Sequence, residues 1–200
     1  MQKGIILFDI DRTIFDTGKM VEDIDTATAK IIKSSNLESL IVLNRSREFS
    51  PETYTKMLCE KFHFNDQKKL LEIFYGGKYK YIYKNNVFPK TRIVLDKLKT
   101  NYRLGIYSEG ISKFQNNKFK SLELDEYFEK NLIFIFAAKD TEEAIAKIPK
   151  SAIIIDDKER ICEFLTKNGI NAIWLNKIDD RVSPNFQTIH NLLEPPNGLM

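Results

Sequence analysis

Four places in the chain carry side chains that could together act on a phosphate ester: Asp9 with Asp11, Ser108, Lys139, and the adjacent pair Asp156–Asp157. Asp9 and Asp11 stand two residues apart, and in extended backbone that spacing turns both carboxylates to one side. Like charges held that close repel unless a cation lies between them or one keeps its proton. Phosphoryl chemistry uses both arrangements. One carboxylate can attack phosphorus and form an aspartyl phosphate, splitting a difficult displacement into two easier ones. The other, if protonated, can donate to the leaving oxygen and later take a proton from water. A hard cation such as Mg²⁺ prefers oxygen ligands, which Asp9 and the Asp156–Asp157 pair supply. A serine hydroxyl and a lysine ammonium suit the phosphoryl oxygens and the charge that develops on them. Taken alone, the first stretch is also compatible with a strand ending in acidic loop residues, with Asp11 or Thr13 capping a helix.

These groups must be brought together, and the hydrophobic pattern indicates how. Ile5-Ile6-Leu7-Phe8, Arg103 to Tyr107, Leu132 to Phe136, Ala152 to Ile155 and Ala172 to Leu175 are short apolar runs that read as strands. Helical patterns alternate with them over Thr91–Thr100 (with Ile93, Val94, Leu95 and Leu98 inward), Phe114–Leu122, Thr141–Ile148 and Arg160–Asn168, the last stopping at Gly169. The alternation predicts an α/β fold, a Rossmann-like doubly wound parallel sheet with Ala172–Leu175 as its last strand. Four of these strands end at the candidate groups, so in a parallel sheet the groups converge along one edge. Residues 16–88 read as helical instead, with Met20, Ile24, Ala27 and Ile31 at helical spacing and Ser50-Pro51 opening another helix. Leu37 to Leu43 is ambiguous between helix and strand. The division expected is a core of residues 1–15 and 89–194, a helical cap over 16–88, and a frayed tail over 195–200.

Composition narrows the class. The 200 residues suit one sizeable domain with an insert, and 31 basic against 28 acidic residues give a mixed surface with no sign of a dedicated nucleic-acid binder. The lysine–tyrosine alternation from Lys78 to Lys84 reads as a helix with tyrosines inward and lysines solvated, and Arg45 and Arg47 as solvated loop arginines. Cys59 and Cys162 read as reduced thiols, His63 and His190 as structural. No apolar run has the length of a membrane span and no leader precedes the first strand, so a cytoplasmic location with no membrane partner is expected.

In order along the chain, Phe8-Asp9-Ile10-Asp11-Arg12-Thr13, Gly105-Ile106-Tyr107-Ser108-Glu109-Gly110, Lys139, and Ile153-Ile154-Ile155-Asp156-Asp157 resemble the four motifs of the haloacid dehalogenase superfamily of phosphohydrolases. The resemblance runs from Lys3 to about Leu193, and the insertion just after the first motif is that of its phosphoglycolate-phosphatase-like and phosphomutase-like members. It implies Asp9 as nucleophile, Asp11 as general acid/base with its backbone carbonyl on the metal, Ser108 and Lys139 as phosphate ligands, and Asp156 and Asp157 as the acidic pair of the Mg²⁺ site. A Mg²⁺-dependent phosphatase of a small phosphorylated metabolite is the activity implied. A sugar-phosphate mutase and a non-catalytic binding or regulatory protein are the alternatives. Neither the substrate nor the oligomeric state is specified by the residues.

The sequence departs from the family pattern at three points. Arg12 replaces the usual glycine, Glu109 stands where asparagine often follows the serine, and Asp140 rather than proline follows Lys139. Glu109 puts a carboxylate next to the expected phosphate site, and Lys147 or Lys150 are alternatives to Lys139 as phosphate ligand.

Overall fold

The apolar runs form the strands of a single sheet. In the computed structural model, which describes residues 3–34 and 49–194, the strands are β1 (Gly4–Phe8), β2 (Tyr102–Glu109), β3 (Ile133–Phe136), β4 (Ala152–Asp156), β5 (Asn171–Leu175) and β6 (Gln187–Ile189). All pairings are parallel and the order across the sheet is β3-β2-β1-β4-β5-β6. The chain leaves β1 for β2 and β3 on one side, then returns to place β4 on the other. The reversal lies between β1 and β4, and in open α/β sheets the crevice beyond such a switch point is where ligands bind. The ends of those two strands carry Asp9 and Asp156.

Burial explains why these runs read as continuous rather than alternating. Ile6 and Phe8 of β1, Ile155 of β4, and Ile173 and Leu175 of β5 pack into one core; Leu7, Ile154, Ala172 and Trp174 pack into a second on the opposite face. The first core takes in α5 (Thr91–Leu98) and α6 (Ser112–Ser121), the second α8 (Glu159–Lys167). A strand covered on both faces has no polar side to show. Gly105, paired with Leu7, lies where the sheet is tightest: a Cβ there would stand 2.3 Å from the Leu132 carbonyl oxygen and 2.6 Å from Leu7 Cδ2.

Between β1 and β2 the described chain is helical: α1 (Thr17–Ile32), α2 (Pro51–Phe62), α3 (Gln67–Tyr75) and α4 (Lys80–Lys84), with a 3₁₀ turn over Gly77–Tyr79. Each of the longer three has a side-chain N-cap. Asp16 accepts from the Lys19 amide, Ser50 from Thr53 and Asp66 from Lys69, which satisfies donors that the first turn leaves open. His63 ends α2 in left-handed backbone. The helices return to the core through Val87, which bridges Phe15, while the Asp16 amide donates to the Asn86 carbonyl at 2.7 Å.

Three expectations need correction. Leu175 does not end the last strand: β6 follows, a three-residue edge strand whose Gln-Thr-Ile carries too little apolar signal to read as one. Ile93 is 52 % exposed; the inward face of α5 is Thr91, Val94, Leu95 and Leu98, and Ile93 lies about 150° around the helix from the middle of it. Of the tyrosines between Lys78 and Lys84, Tyr83 is buried, donating to the Phe74 carbonyl, whereas Tyr81 is 49 % exposed. Cys162 is buried, Cys59 half-buried, and both are free thiols. The segment 37–43, Arg45, Arg47 and the tail 195–200 lie outside the described residues.

Candidate active site

The loop after β1 is a tight turn built on one carbonyl: the amides of Thr13, Ile14 and Phe15 all point at the Ile10 oxygen. Arg12 sits in it at φ 58°, the left-handed region where glycine is usual. Lys177, just beyond β5, donates to the Arg12 and Thr13 carbonyls at 2.7 and 3.2 Å and lies over the Phe88 ring at 3.6 Å. The amide of Asp9 donates to Ile155 of β4 at 2.9 Å, which ties the turn to the neighbouring strand.

Lys139 is the hub of the site. Its side chain is fully buried, and its Nζ is 2.6 Å from Asp9 Oδ1 and 2.5 Å from Asp156 Oδ2. Its main chain is gripped by β2, since the Tyr107 hydroxyl donates to its carbonyl and its amide donates to Glu109 Oε2. Lys147 pairs instead with Glu143 on the exposed side of α7 (Glu142–Lys147), and Lys150 is exposed. Of the three lysines weighed, Lys139 is the one among the aspartates.

Asp9, Asp156 and Asp157 each bring a carboxylate oxygen within 4.8 Å of the other two. Asp9 Oδ2, Asp157 Oδ1 and the Ser108 hydroxyl are buried, and no protein group hydrogen-bonds them. Buried polar atoms are otherwise almost always paired. Three such atoms at adjoining strand ends leave hydrogen-bonding and ligating capacity unused, and the acidic trio has the donor type a hard cation takes. Electrostatics agree. Burial pushes Asp9 up to about 7; the Lys139 charge opposes this, and the neighbouring Asp156, Asp157 and Asp11 add to it. Burial and then Asp156 raise Asp157 to about 6, against Lys139, Lys158 and Arg12. Burial works against the charge of Lys139, but Asp156 and Asp9 outweigh it and hold the ammonium above its ordinary range. The cluster carries more negative charge than Lys139 alone offsets.

Asp11 is in a different environment. Thr17, the first residue of α1, donates to its Oδ1 at 2.6 Å, while Lys118 and Gln115 of α6 reach its Oδ2 at 2.5 and 3.3 Å. Burial works to raise this carboxyl, but the charge and hydrogen bond of Lys118, with Thr17 and Gln115, hold it at about 2. Asp9 and Asp11 are thus pushed in opposite directions, Asp9 toward its protonated form and Asp11 toward its ionised one.

Glu109 is neither loose nor exposed. Lys158 and Arg160 reach its Oε1 at 2.6 and 3.1 Å and the Lys139 amide its Oε2 at 3.2 Å; burial works against its ionisation, and Lys158 and Lys139 more than compensate, keeping it below the usual range.

The structure therefore gathers Asp9, Lys139, Asp156 and Asp157 into direct contact or near contact, with Ser108 at the end of the adjoining strand, and sets Asp11 against α6. Sequence reasoning missed Lys118, Gln115, Thr17 and Tyr107. Lys118 looks like any solvated helix lysine, yet its side chain is 2 % exposed, between Phe15 and Phe114. The available signal was its place one turn after Gln115 on the buried face of α6, beside Phe114 and Phe119.

The family model for haloacid dehalogenase-like hydrolases matches residues 6–145, and the chain belongs to that family. It is an enzyme of the hydrolase type. It is 24 % identical over 200 residues to a glyceraldehyde 3-phosphate phosphatase of Pyrococcus furiosus, covering 85 % of this chain and 79 % of that one. A haloacid dehalogenase-like family hydrolase of Xanthomonas campestris has the same fold, with a TM-score of 0.61 at 14 % identity over 96 % of this chain and 92 % of its own. So does a Thermotoga maritima protein assigned as a beta-phosphoglucomutase, with a TM-score of 0.65 at 15 % identity over 96 % and 95 %.

Proposed function

We propose that this hydrolase is a Mg²⁺-dependent phosphatase of small phosphomonoesters, working through an aspartyl phosphate on Asp9. The observation that carries the reading is the unpartnered Oδ2 of a buried Asp9, whose other oxygen is held by Lys139, with the unpartnered Ser108 hydroxyl on the neighbouring strand end. Asp9 Oδ2, in its ionised form, attacks phosphorus while the bond from phosphorus to the ester oxygen breaks, the leaving oxygen taking its proton from Asp11 when that carboxyl holds one and otherwise from solvent. Ser108 and Lys139 hold phosphoryl oxygens. Water then attacks the same phosphorus, Asp11 takes its proton, and the Asp9 carboxylate leaves. Asp9 and Asp156–Asp157, with the Asp11 carbonyl, are the residues to hold Mg²⁺, which when bound supplies charge neutralisation at the phosphoryl oxygens. Lys118, Thr17 and Gln115 favour the ionised form of Asp11, so esters whose leaving oxygen needs no proton, such as aryl phosphates, are expected to turn over fastest.

Residues 16–88 serve in this reading as a helical cap on a core of 1–15 and 89–194. The seam supports it: the Phe114 ring of α6 meets Phe49 and Phe74 at centroid distances of 5.6 and 6.1 Å, Asn117 donates to the Phe74 carbonyl at 2.8 Å, and Lys113 pairs with Glu52 at 2.9 Å. Such a cover excludes water and selects substrate. The Pyrococcus relative, a phosphatase by name, favours phosphate release. The Thermotoga neighbour gives the second reading, a sugar-phosphate mutase, which would yield an isomer without stoichiometric phosphate.

The test is phosphate release from 4-nitrophenyl phosphate by wild type and Asp9→Asn, with Mg²⁺ and with chelator. Metal-dependent release that vanishes in the variant is expected. Release that survives the substitution rules out Asp9 as nucleophile.

A further inference from the structure

We infer that Glu109 is a positioning residue that straps the segment carrying Lys139 to the segment carrying Asp156 and Asp157, and so sets how tightly the acidic cluster holds a divalent cation. This rests on the Mg²⁺ reading above. Glu109 ends β2 directly after Ser108, with its side chain 7 % exposed. One oxygen takes the Lys139 amide, from the stretch between β3 and α7. The other takes Lys158 and Arg160, from the stretch that follows Asp157 into α8. Arg160 also pairs with Asp140, the residue after Lys139, which closes a ring of side chains across three strand ends.

Lys158 makes the strap relevant to metal. Its own amide donates to Asp156 Oδ1 at 2.9 Å while its ammonium is anchored on Glu109 at 2.6 Å. The orientation of Asp156 thus depends on a residue that Glu109 holds in place. Among the described residues, an amide, an ammonium and a guanidinium face the Glu109 carboxylate as donors. Only a carboxylate accepts at both ends; an amide side chain must turn its NH₂ toward one of them. This explains why Glu109 stands where the family often has asparagine. It also shows a use for the carboxylate other than blocking phosphate. Without Glu109, Lys158, whose amide holds Asp156 Oδ1, loses its side-chain anchor while Lys139 stays on Asp156 Oδ2 and Arg160 on Asp140, and the Lys158 ammonium is released beside the acidic cluster, where it competes with a bound cation. Both effects weaken metal binding. Partners one shell out from a metal's ligands typically set affinity by about 10- to 100-fold.

The experiment is calorimetric titration of the full chain with Mg²⁺, alongside thermal melts in chelator, for wild type, Glu109→Gln and Glu109→Asp. Glu109→Gln keeps length and loses charge. Glu109→Asp keeps charge and is too short to reach all three donors, and it carries the test if the glutamine variant does not fold. The expected result is Mg²⁺ affinity at least about 10-fold weaker in Glu109→Gln, with Glu109→Asp in between. Variants that melt lower yet bind Mg²⁺ within about twofold of wild type overturn the strap, leaving Glu109 a structural residue and the phosphatase reading intact. A wild type with no saturable Mg²⁺ binding overturns the metal reading itself, and the inference with it.

Discussion

Replacing Lys139 with methionine tests the electrostatic design of the site independently of turnover. The substitution keeps a long apolar stem and removes the ammonium that lies 2.6 Å from Asp9 and 2.5 Å from Asp156, both essentially shielded from solvent. Three carboxylates whose oxygens lie within 4.8 Å of one another are then left without that cation. Removing one partner of a buried ion pair costs roughly 3–5 kcal/mol, because the other charge stays buried and uncompensated. For a chain of this size that corresponds to a melting temperature lower by about 10 °C. The cost should depend on pH in a defined direction. Asp9 is already pushed up to about 7 and Asp157 to about 6 with the lysine in place; without it both bind protons more readily and shed their charge as pH falls. Urea denaturation in chelator at pH 8 and pH 5 is the assay. A loss of about 3–5 kcal/mol at pH 8 that shrinks at pH 5 is expected. A loss below about 1 kcal/mol at pH 8, or the same loss at both, refutes the claim that Lys139 neutralises this cluster.

Three further outcomes follow from the same contacts. In chelator, wild-type stability should rise as pH falls from about 8 towards 5, since Asp9 and Asp157, with folded values raised above the usual carboxylate range, take up protons in the folded state first; pH-dependent denaturation checks the sign. Asp11, held at about 2, stabilises the fold above its ordinary value of 3.8, and that contribution disappears as pH falls from about 4 to 2. Lys118→Met should abolish most of it, a loss of about 2 kcal/mol near neutral pH, with the Asp11 carboxyl moving upward in an NMR titration. Arg12→Gly should stabilise the chain by about 0.5–1 kcal/mol, the relief of the left-handed residue at φ 58° less the entropy that glycine adds to the unfolded chain, read as a higher denaturation midpoint.

Much of the fold was legible because strands covered on both faces advertise themselves: Ile5 to Phe8 and Ala152 to Ile155 have no polar side, and their pairing in one parallel sheet brings Asp9 beside Asp156. What escaped has physical causes. β6 is held by its pairing with β5 and offers one buried apolar residue, Ile189, so local pattern carries little of it. Ile93 sits on the solvent side of α5, where an isolated apolar residue is common. In the site, side chains at strand ends were readable because parallel topology alone makes them converge. Lys118 was not, because its burial depends on Asp11 and Phe15, from near the start of the chain, meeting it and Phe114 on α6. The role of Glu109 was hidden for a related reason: its sequence neighbours suggest a carboxylate in the phosphate's way, and only the approach of Lys158 and Arg160 from β4 onward shows where it is engaged.

The central claim is that Asp9 becomes phosphorylated. The most direct measurement is acid quench of the enzyme during turnover of an aryl phosphate with Mg²⁺, borohydride reduction, and peptide mass spectrometry. Conversion of residue 9 to homoserine, absent without substrate and absent in Asp9→Asn, is the result expected. Steady phosphate release with residue 9 unmodified, or with the reduced residue found elsewhere, would contradict it.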